Sequence, residues 1–368
     1  MSQALDTGIK NAKNVLHYTF GQGTVRSLSD MIENRRHINN GYAVYFVDQY
    51  FEGNVDFIKL LSISDDDELI FISTGREPTT KLINSIKEKL TGKKLNNPST
   101  IIGCGGGIVM DVAKAVANLL TNDGNAEDYQ GWDLVKNQGI YKIAVPTLSG
   151  TGAEATRTCV MTNKKSGLKL GMNSDYTVYD QVILGPDLTK TVPRNQYFYT
   201  GMDAYIHCIE SLNGSYRNAI GDAFSQQTIT LCREIFASDD MMTDESRSKM
   251  MVASYLGGCA IATSYVGIIH PFSAGLSVVL GLHHCMANCI VMRAMEEFYP
   301  TEYKDFWQMA AKQNVEIPSG ICDGLSDEQF DALYASTVIH EKPLINALGE
   351  NFKVILTKKK VKQIFSKM

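Results

Sequence analysis

The sequence lacks long apolar runs, a strong excess of one charge and paired-cysteine motifs. Its most apolar stretch, residues 275–282, is far shorter than the roughly 18 residues that a membrane-spanning helix needs. The first residues contain no apolar segment of the kind found in a secretory signal. We therefore expect a cytoplasmic protein with no membrane partner.

The cysteines and the charges exclude further classes. The eight cysteines are scattered and none forms a CxxC pair, which favours reduced thiols over a disulfide framework. Asp and Glu (40) outnumber Lys and Arg (35), so we expect no nucleic-acid partner. Aromatic residues make up 9% and the net charge is only −5, which argues against a disordered chain. At 368 residues, two domains are expected.

The hydrophobic pattern changes near residue 187. Before it, strand-like runs at residues 42–47, 69–72, 100–102 and 141–145 alternate with helical patterns at 79–90 and 110–120. Such alternation predicts a parallel, doubly wound α/β sheet. After it come four long helical patterns, at residues 195–211, 220–237, 245–265 and 281–297. We therefore predict an α/β domain over residues 1–187 and an all-helical domain over residues 188–368.

The C-terminal residues 353–368 are rich in lysine. They could bind an anionic partner, or they could form a final helix whose lysine face is simply solvated. The acidic balance of the whole chain favours the solvated helix.

Two loops rich in glycine and hydroxyl groups follow predicted strands. The first contains Gly105, Gly106 and Gly107 and precedes a predicted helix. Glycines there allow a phosphate to approach backbone N–H groups, and the helix dipole favours the anion. The second loop, residues 145–152, reads VPTLSGTG. Together the loops would suit a polyphosphate, although a tight strand-to-helix turn explains the first loop equally well.

Asp48 ends an early predicted strand. A carboxylate in that place could accept hydrogen bonds from a ribose diol and would repel a 2′-phosphate. This interpretation predicts NAD rather than NADP as the cofactor. An aspartate that only forms a turn is the alternative, and the sequence leaves both open.

Three of the seven histidines and one aspartate form a candidate metal site. Asp203 and His207 are four positions apart, which places their side chains on one face of a helix. His270 and His284 follow later in the chain. Three imidazoles and a carboxylate suit Zn²⁺ and Fe²⁺ equally well. His283, beside His284, is an alternative ligand, and a chance pairing on the helix is the alternative to a site.

Three segments, taken in order, resemble motifs of the iron-containing (group III) alcohol dehydrogenase family. Residues 105–114 (GGGIVMDVAK) are similar to GGGSxxDxAK, residues 146–154 (PTLSGTGAE) to PTTAGTGSE, and residues 200–207 (TGMDAYIH) to TGMDAxxH. The resemblance implies a dehydroquinate synthase-like architecture. An N-terminal α/β domain would bind the dinucleotide, and an all-α C-terminal domain would bind the metal and carry out catalysis. The resemblance also implies NAD, a divalent metal with Fe²⁺ favoured over Zn²⁺, and a homodimer.

Residue by residue, the resemblance assigns two sets of positions in this chain. The implied metal ligands are Asp203, His207, His270 and His284. The implied cofactor-binding residues are Gly105, Gly106, Gly107, Asp111, Thr147, Leu148, Ser149, Thr151 and Lys169, to which Asp48 is added from the strand-end argument.

The chain departs from the family pattern at three positions near these motifs. Ile108 replaces a serine, Ala274 replaces a second histidine and Cys285 replaces a glycine. That second histidine lies near the substrate and the nicotinamide in the family. Another group is therefore expected to transfer the proton here, and His283 is the candidate catalytic residue.

These parts predict a metal-dependent oxidoreductase that oxidises a primary alcohol to an aldehyde, with NAD or oxygen as the electron acceptor. Among the branches of the family, the chain resembles most the bacterial 3-deoxy-D-manno-octulosonate (Kdo) 8-oxidases of lipopolysaccharide biosynthesis. That branch implies a sugar-acid substrate, and Arg157 and Arg194 are candidates to bind its carboxylate. The alternatives are a generic NAD-dependent alcohol or polyol dehydrogenase, a lyase resembling dehydroquinate synthase, and a non-catalytic nucleotide-binding protein with a structural metal.

Overall fold

The chain folds into two compact units. The computed structural model describes residues 12–39, 41–93 and 97–368. The α/β unit contains Lys13–Leu148 and Ala153–Thr191, and the helical unit contains Ser149–Gly152 and Val192–Met368. The predicted division lies between residues 187 and 188. The sequence pattern did not indicate that Ser149–Gly152 packs with the helices.

A parallel sheet forms the centre of the α/β unit. The strands of the described residues are β1 (His17–Phe20), β2 (Ala43–Asp48), β3 (Glu68–Ile72), β4 (Thr100–Gly105), β5 (Gly131–Trp132), β6 (Lys142–Pro146), β7 (Thr158–Asn163), β8 (Leu168–Asn173) and β9 (Gln181–Leu184). Six of them form one sheet in the order β1-β9-β6-β4-β2-β3. Every pairing in it is parallel, which confirms the predicted α/β class.

The inner strands of this sheet are buried along their whole length. All residues of β2 (AVYFVD) and of β4 (TIIGCG) are buried. Continuous runs of this kind are typical of parallel strands that are covered on both faces. Val47 lies beside Cys104, and Gly105 lies beside Pro146. The carboxyl ends of β2, β4 and β6 therefore meet at one edge of the sheet.

A small second sheet was not predicted from the sequence. β7 and β8 form an antiparallel pair whose register runs from Thr158 opposite Asn173 to Asn163 opposite Leu168. β5 pairs with β8 in parallel. Gly167, in the turn between β7 and β8, has a φ of +69°, a conformation that glycine adopts at little cost.

The described part of the α/β unit also contains the α-helices α1 (Leu28–Asn39), α2 (Val55–Leu60), α3 (Thr80–Lys93) and α4 (Gly107–Leu119). α4 begins directly after Gly105 and Gly106 and is buried almost all round, as expected of a core helix. Its one lysine, Lys114, is fully buried. The ammonium donates hydrogen bonds of 2.8 Å to the carbonyl oxygens of Thr156 and Thr158, which satisfy the buried charge.

Helices make up the second unit. They are α5 (Arg194–Asn213), α6 (Ala219–Ala237), α7 (Asp244–Thr263), α8 (Ile269–Leu280), α9 (His284–Val291), α10 (Pro300–Lys312), α11 (Asp327–Val338), α12 (Glu341–Leu348), α13 (Phe352–Ile355) and α14 (Lys358–Phe365). α5 is a buried helix, because its residues from Thr200 to Ser211 are all buried. It contributes Met202, Tyr205 and Ile206 to the core of this unit.

The predicted helix over residues 281–297 is wrong. α8 ends at Leu280 and is followed by Gly281, whose φ of +73° gives a left-handed C-cap. His283 is then extended and occupies the N-cap position of α9, which ends at Val291. A glycine after an apolar helical run is a usual helix terminator. The sequence pattern had instead predicted Gly281 as the first residue of the next helix.

The lysine-rich C-terminal segment forms α14 with a solvated face. Val361, Ile364 and Phe365 are buried. Lys358 pairs with Asp331 at 2.9 Å, and Lys360 and Lys362 each pair with a carboxylate at 2.6 Å. These pairs support the interpretation of a solvated helix. Within the described ranges, no helix is both long and apolar enough to span a membrane.

Candidate metal centre and nucleotide loops

One face of α5 carries three ionisable side chains into the core of the helical unit. Asp203, His207 and Glu210 occupy positions i, i+4 and i+7, which lie on one side of a helix. All three are buried, with exposed fractions of 0%, 4% and 1%. Burying so many ionisable groups costs free energy unless they are paired or bind a metal.

Two further histidines reach Asp203 from other helices. Nε2 of His270, on α8, lies 3.4 Å from Oδ1 of Asp203. Nε2 of His284, the first residue of α9, lies 3.8 Å from the same oxygen. Ligand atoms of these three residues all lie within 4.8 Å of one another, a grouping that could hold a metal ion. The group includes His284 and not its neighbour His283.

His207 stands at the side of this group. Its Nε2 lies 3.6 Å from Oδ1 of Asp203, and its ring stacks on that of His270 with centroids 4.7 Å apart. Within the part of the chain that the structure describes, Nδ1 of His207 is buried and has no hydrogen-bond partner. His207 thus lies beside Asp203, outside the group of three residues whose ligand atoms are within 4.8 Å of one another.

The spacing of these atoms fits a small divalent cation. A tetrahedral cation with bonds of about 2.1 Å holds its ligand atoms about 3.4 Å apart. The three distances from Oδ1 of Asp203 are 3.4, 3.6 and 3.8 Å. One carboxylate oxygen with three imidazole nitrogens is also a donor set that suits Zn²⁺ or Fe²⁺.

The side chain of Asn288 lies among the candidate ligand atoms of Asp203, His270 and His284. Its amide Nδ2 lies 2.6 Å from Oδ1 of Asp203, 3.4 Å from Nε2 of His270 and 3.3 Å from Nε2 of His284. Its own Oδ1 is buried and has no partner among the described residues. A positively polarised N–H group thus occupies the place that suits a cation.

Residues around the ligands orient the two outer histidines. Nδ1 of His270 is hydrogen-bonded to Oε2 of Glu210. Nδ1 of His284 lies 3.5 Å from Oγ of Ser273. Partners of this kind commonly hold metal-ligating histidines in one orientation. Glu210 is not among the residues predicted from the sequence, although its spacing from Asp203 and His207 on the helix indicates that the three side chains share a face.

The mutual charges shift the pKa values of the group. Burial alone raises the pKa of Asp203, but His207, His284 and His270 outweigh it and hold this pKa well below its ordinary value. Burial lowers the pKa of His207 to about 4. Burial also opposes protonation of His270, but Glu210 and Asp203 raise its pKa to about 9. A cation bound at Nε2 of His270 would therefore displace a proton.

Two of the three departures from the family pattern, Ala274 and Cys285, lie on the helices that carry His270 and His284. Ala274 is one turn after His270 on α8 and supplies no ring nitrogen. Sγ of Cys285 lies 3.6 Å from Oδ2 of Asp203, where it can donate a weak hydrogen bond. His283 is exposed and directly precedes α9, where its side chain makes no cap hydrogen bond.

The α/β unit presents the first glycine loop at the strand edge described above. Gly106 is the N-cap residue of α4 and has no side chain with which to cap the first N–H groups of this helix. A Cβ at Gly106 would lie 2.7 Å from Cδ1 of Leu148, and one at Gly105 would lie 2.6 Å from Cγ2 of Val109. In this sheet, β2 is followed by β3 on one side and β4 is followed by β6 on the other side. Ligands of open parallel sheets bind at such a topological switch point. The loop, with Gly107 as the first helical residue, therefore suits a phosphate.

Three other predicted cofactor residues have partners of their own in this unit. Oδ1 of Asp48 accepts from the Tyr50 N–H at 3.0 Å and from the Thr74 hydroxyl at 3.2 Å, as the turn-forming alternative expects. Oδ2 of Asp111 accepts from the Val160 N–H at 2.9 Å. Nζ of Lys169 pairs with Glu77 at 2.9 Å.

The second loop is divided between the units. The backbone N–H of Thr147 donates to Gly105 at 3.0 Å, so this residue and Leu148 stay with the glycine loop. Ser149 and Thr151 belong to the helical unit. Oγ of Ser149 lies 3.7 Å from the sulfur of Met251 on α7. The predicted cofactor residues therefore do not form one local cluster within a single unit.

The two arginines suggested for a sugar-acid carboxylate are already paired. Arg157 contacts Asp133 at 2.7 Å and Asp175 at 3.1 Å. Arg194 donates to the side-chain oxygen of Gln313 at 2.8 Å. Neither contact pattern supports a role in binding a substrate carboxylate.

Comparisons with known proteins cover most of the chain. Residues 17–186 match the family described as iron-containing alcohol dehydrogenase. Residues 197–335 match the part described as Fe-containing alcohol dehydrogenase family, C-terminal. Apart from Ser149–Gly152, the first range falls on the α/β unit, and the second contains Asp203, His207, His270 and His284.

Individual relatives have several different names. The chain is 35% identical over 209 residues to sulfoacetaldehyde reductase of Bilophila wadsworthia (strain 3_1_6), covering 56% of this chain and 54% of that protein. It is 30% identical over 265 residues to 4-hydroxybutyrate dehydrogenase of Cupriavidus necator, covering 68% of each. The chain thus spans about half the length of the first of these relatives.

A solved structure shares the fold over nearly the whole chain. It is the sulfoacetaldehyde reductase from Bifidobacterium kashiwanohense in complex with NAD⁺, with a TM-score of 0.80 at 21% identity, covering 97% of this chain and 98% of that one. The expected divalent metal agrees with the family description, which names iron. Because the two family matches follow one another over the two units and a metal-type donor set lies in the second, the chain belongs to the iron-containing alcohol dehydrogenase family.

Proposed function

We propose that this protein is a metal-dependent oxidoreductase that interconverts a primary alcohol and its aldehyde with NAD as the electron carrier. The observation that carries the proposal is the convergence of Asp203, His270 and His284 on one point, with His207 beside them. Their spacing and donor types fit a divalent cation such as Fe²⁺ or Zn²⁺. Membership of an alcohol dehydrogenase family supports the same reaction class.

Each part of the proposed site has a physical task. A divalent cation would supply Lewis acidity that lowers the pKa of the substrate hydroxyl, and a nicotinamide would supply the hydride acceptor. Asp203 places a buried negative charge beside three imidazoles, which holds a cation and offsets its charge. The first turn of α4, next to Gly106 and Gly107, would bind the pyrophosphate of the dinucleotide.

The remaining predicted residues are proposed for supporting roles. Asp48 has its Oδ1 engaged in the turn, and its Oδ2 is proposed to face the ribose diol of NAD. Lys169 is proposed to contact the nucleotide in place of its pair with Glu77. His283 is exposed and is proposed to exchange the substrate proton with water.

We propose small alcohols and aldehydes as the substrate class. Candidates within this class follow from the names of the relatives and from the sequence resemblance. Relatives are named for sulfoacetaldehyde and 4-hydroxybutyrate, two short molecules with an anionic group at one end. Oxidation of Kdo at C8 is a second candidate from the sequence resemblance. The pairing of Arg157 and Arg194 removes the two cations suggested for that sugar acid, so the generic dehydrogenase is preferred.

The test is turnover by metal-free protein reloaded with Fe²⁺ or Zn²⁺ in the presence of NAD⁺ or NADH. The panel contains short primary alcohols, sulfoacetaldehyde, 4-hydroxybutyrate and Kdo, and both NADH absorbance and oxygen uptake are followed. Metal-dependent change in NADH supports the proposal. Oxygen uptake with Kdo, without net formation of NADH, would contradict the proposed dehydrogenase and favour a Kdo oxidase.

A matched variant separates the site from the fold. Asp203→Asn removes the buried negative charge while keeping the shape of the side chain, so it should abolish turnover and metal binding. Asp180→Asn changes another buried carboxylate, one that accepts from the Lys142 N–H at 2.8 Å in the α/β unit, and should leave metal binding unchanged. Conversion of substrate with no net change in NADH, or nucleotide binding with no turnover at all, would favour the lyase or the non-catalytic alternative.

A further inference from the structure

We propose that Glu210 is a positioning residue that holds His270 in the one tautomer able to bind a metal. The inference rests on the proposed metal centre and deepens it. Glu210 is 1% exposed and lies on the same face of α5 as Asp203, seven positions along the helix. None of the motifs identified in the sequence includes it.

The carboxylate of Glu210 accepts two hydrogen bonds from the start of α8. Oε1 accepts from the backbone N–H of Ile269, and Oε2 contacts Nδ1 of His270. An ionised carboxylate can only accept, so the proton of the neutral ring is held on Nδ1. Nε2 then offers its lone pair, and it lies 3.4 Å from Oδ1 of Asp203. One side chain thus sets both the tautomer and the direction of the ring.

Glu210 also helps to cap α8, and this role must be separated from the first. Ile268 precedes the helix and provides no side-chain cap, so the first N–H groups need acceptors from elsewhere. The hydroxyl oxygen of Tyr299 accepts from the backbone N–H of Ile268, beside the bond that Ile269 donates to Glu210. A Cβ at Gly267 would lie 2.7 Å from the hydroxyl oxygen of Tyr299 and 3.2 Å from Oε1 of Glu210, so the chain passes closely here.

Glu210→Gln distinguishes the two roles. Glutamine offers one acceptor oxygen and one NH₂ group. With the oxygen kept on the Ile269 N–H, the helix cap survives and the NH₂ group faces Nδ1 of His270. The ring proton then moves to Nε2, which can no longer act as a ligand. We expect metal affinity to fall about 10–100-fold, the usual effect of losing such a partner, while the protein stays folded.

Two further variants provide controls. Tyr299→Phe removes the neighbouring bond at the start of α8 without touching His270, so it should lower stability and leave metal affinity unchanged. Glu210→Asp keeps the charge on a side chain one methylene shorter, and its affinity should lie between those of the wild type and Glu210→Gln. It also serves as the test variant if Glu210→Gln does not fold.

The experiment is a Co²⁺ titration of metal-free protein, followed by visible absorption. ¹⁵N NMR of the histidine rings in the metal-free protein, at a pH high enough to leave the rings neutral, reports the tautomer of His270. The expected result is weaker Co²⁺ binding in Glu210→Gln together with a proton on Nε2. In a His270→Ala background, Glu210→Gln should have no further effect on affinity.

The outcomes separate this inference from the proposed function. Failure of the wild-type protein to bind Co²⁺ would overturn the metal centre and the inference together. Binding by the wild type with equal affinity in Glu210→Gln would overturn only the role of Glu210. An equal loss of affinity in Tyr299→Phe, or an undiminished effect in the His270→Ala background, would show that Glu210 acts through the backbone alone.

Discussion

Gly150 is the position at which a single added carbon should do most damage to the helical unit. Its φ is +143°, which residues with a side chain rarely adopt. A Cβ there would lie 1.7 Å from the carbonyl oxygen of Thr200 on α5 and 2.3 Å from the carbonyl carbon. Both neighbouring atoms are backbone, so no side-chain rotation can relieve the overlap. Thr200 is three residues before Asp203, so any relief must move the loop or the helix that carries Asp203 and His207.

Gly150→Ala should therefore lower the free energy of unfolding by about 4 kcal/mol. Backbone strain contributes roughly 1–3 kcal/mol and the forced contact roughly 1–3 kcal/mol. Gly349→Ala is the matched control, because its φ is +81° and nothing lies within 4 Å of the added carbon. Its ψ is 177°, a backbone conformation that is essentially restricted to glycine, so strain alone should cost that variant roughly 1–3 kcal/mol.

The assay is urea unfolding of the metal-free protein, followed by tryptophan fluorescence. The chain has 2 tryptophans. Trp307 lies in the helical unit and Trp132 in the α/β unit, so a Trp132→Phe background reports on the helical unit alone. This choice matters because two units need not unfold in one step. If Gly150→Ala is no less stable than Gly349→Ala, the close contact between the loop and α5 is not a constraint and the reasoning fails.

Three other substitutions test the α/β unit and the proposed proton path. Burial raises the pKa of Asp111 from 3.8 to about 7, so its ionisation costs the folded state stability as the pH rises through this window. The free energy of unfolding of Asp111→Asn, relative to that of the wild type, should therefore rise by up to about 4 kcal/mol between pH 4 and pH 8. A difference in urea unfolding that does not change with pH would contradict the raised pKa. Asp48→Asn keeps an acceptor for the Tyr50 N–H but removes the charge, so kcat/KM with NADP⁺ should rise relative to NAD⁺; an unchanged ratio would remove Asp48 from the nucleotide site. His283→Ala should alter the pH dependence of kcat, and an unaltered profile would end its proposed role in proton transfer.

Local patterns predicted much of the fold. The apolar runs of β2 and β4 were recognisable because a parallel strand covered on both faces must be apolar at every position. α5 was predicted within one or two residues at each end, since its apolar residues recur at helical spacing. The hairpin of β7 and β8 was not predicted, because its strands are only half-buried and carry little hydrophobic signal. The break at Gly281 was missed because the apolar pattern continues across it.

Part of the candidate site was also accessible from local spacing. Asp203 and His207 share a helix face, which spacing alone establishes. Their meeting with His270 and His284 depended on the family resemblance, since residues on α8 and α9 are brought to α5 only by packing. The choice of His284 over His283 depends on where α9 begins, and adjacent residues at a helix start point in different directions.

The sequence by itself determined the alternation of strands and helices, the two glycine-rich loops and the helix face that carries Asp203 and His207. These are short-range properties, set by side-chain volume, polarity and the 3.6-residue period of the helix. Tertiary structure alone decided that Glu210 bonds to His270, that Asn288 points into the ligand group and that Arg157 is already paired. It also decided that Ser149–Gly152 joins the helical unit. Such contacts join residues far apart in the chain, and they form only when many apolar faces are buried together, so no local pattern encodes them.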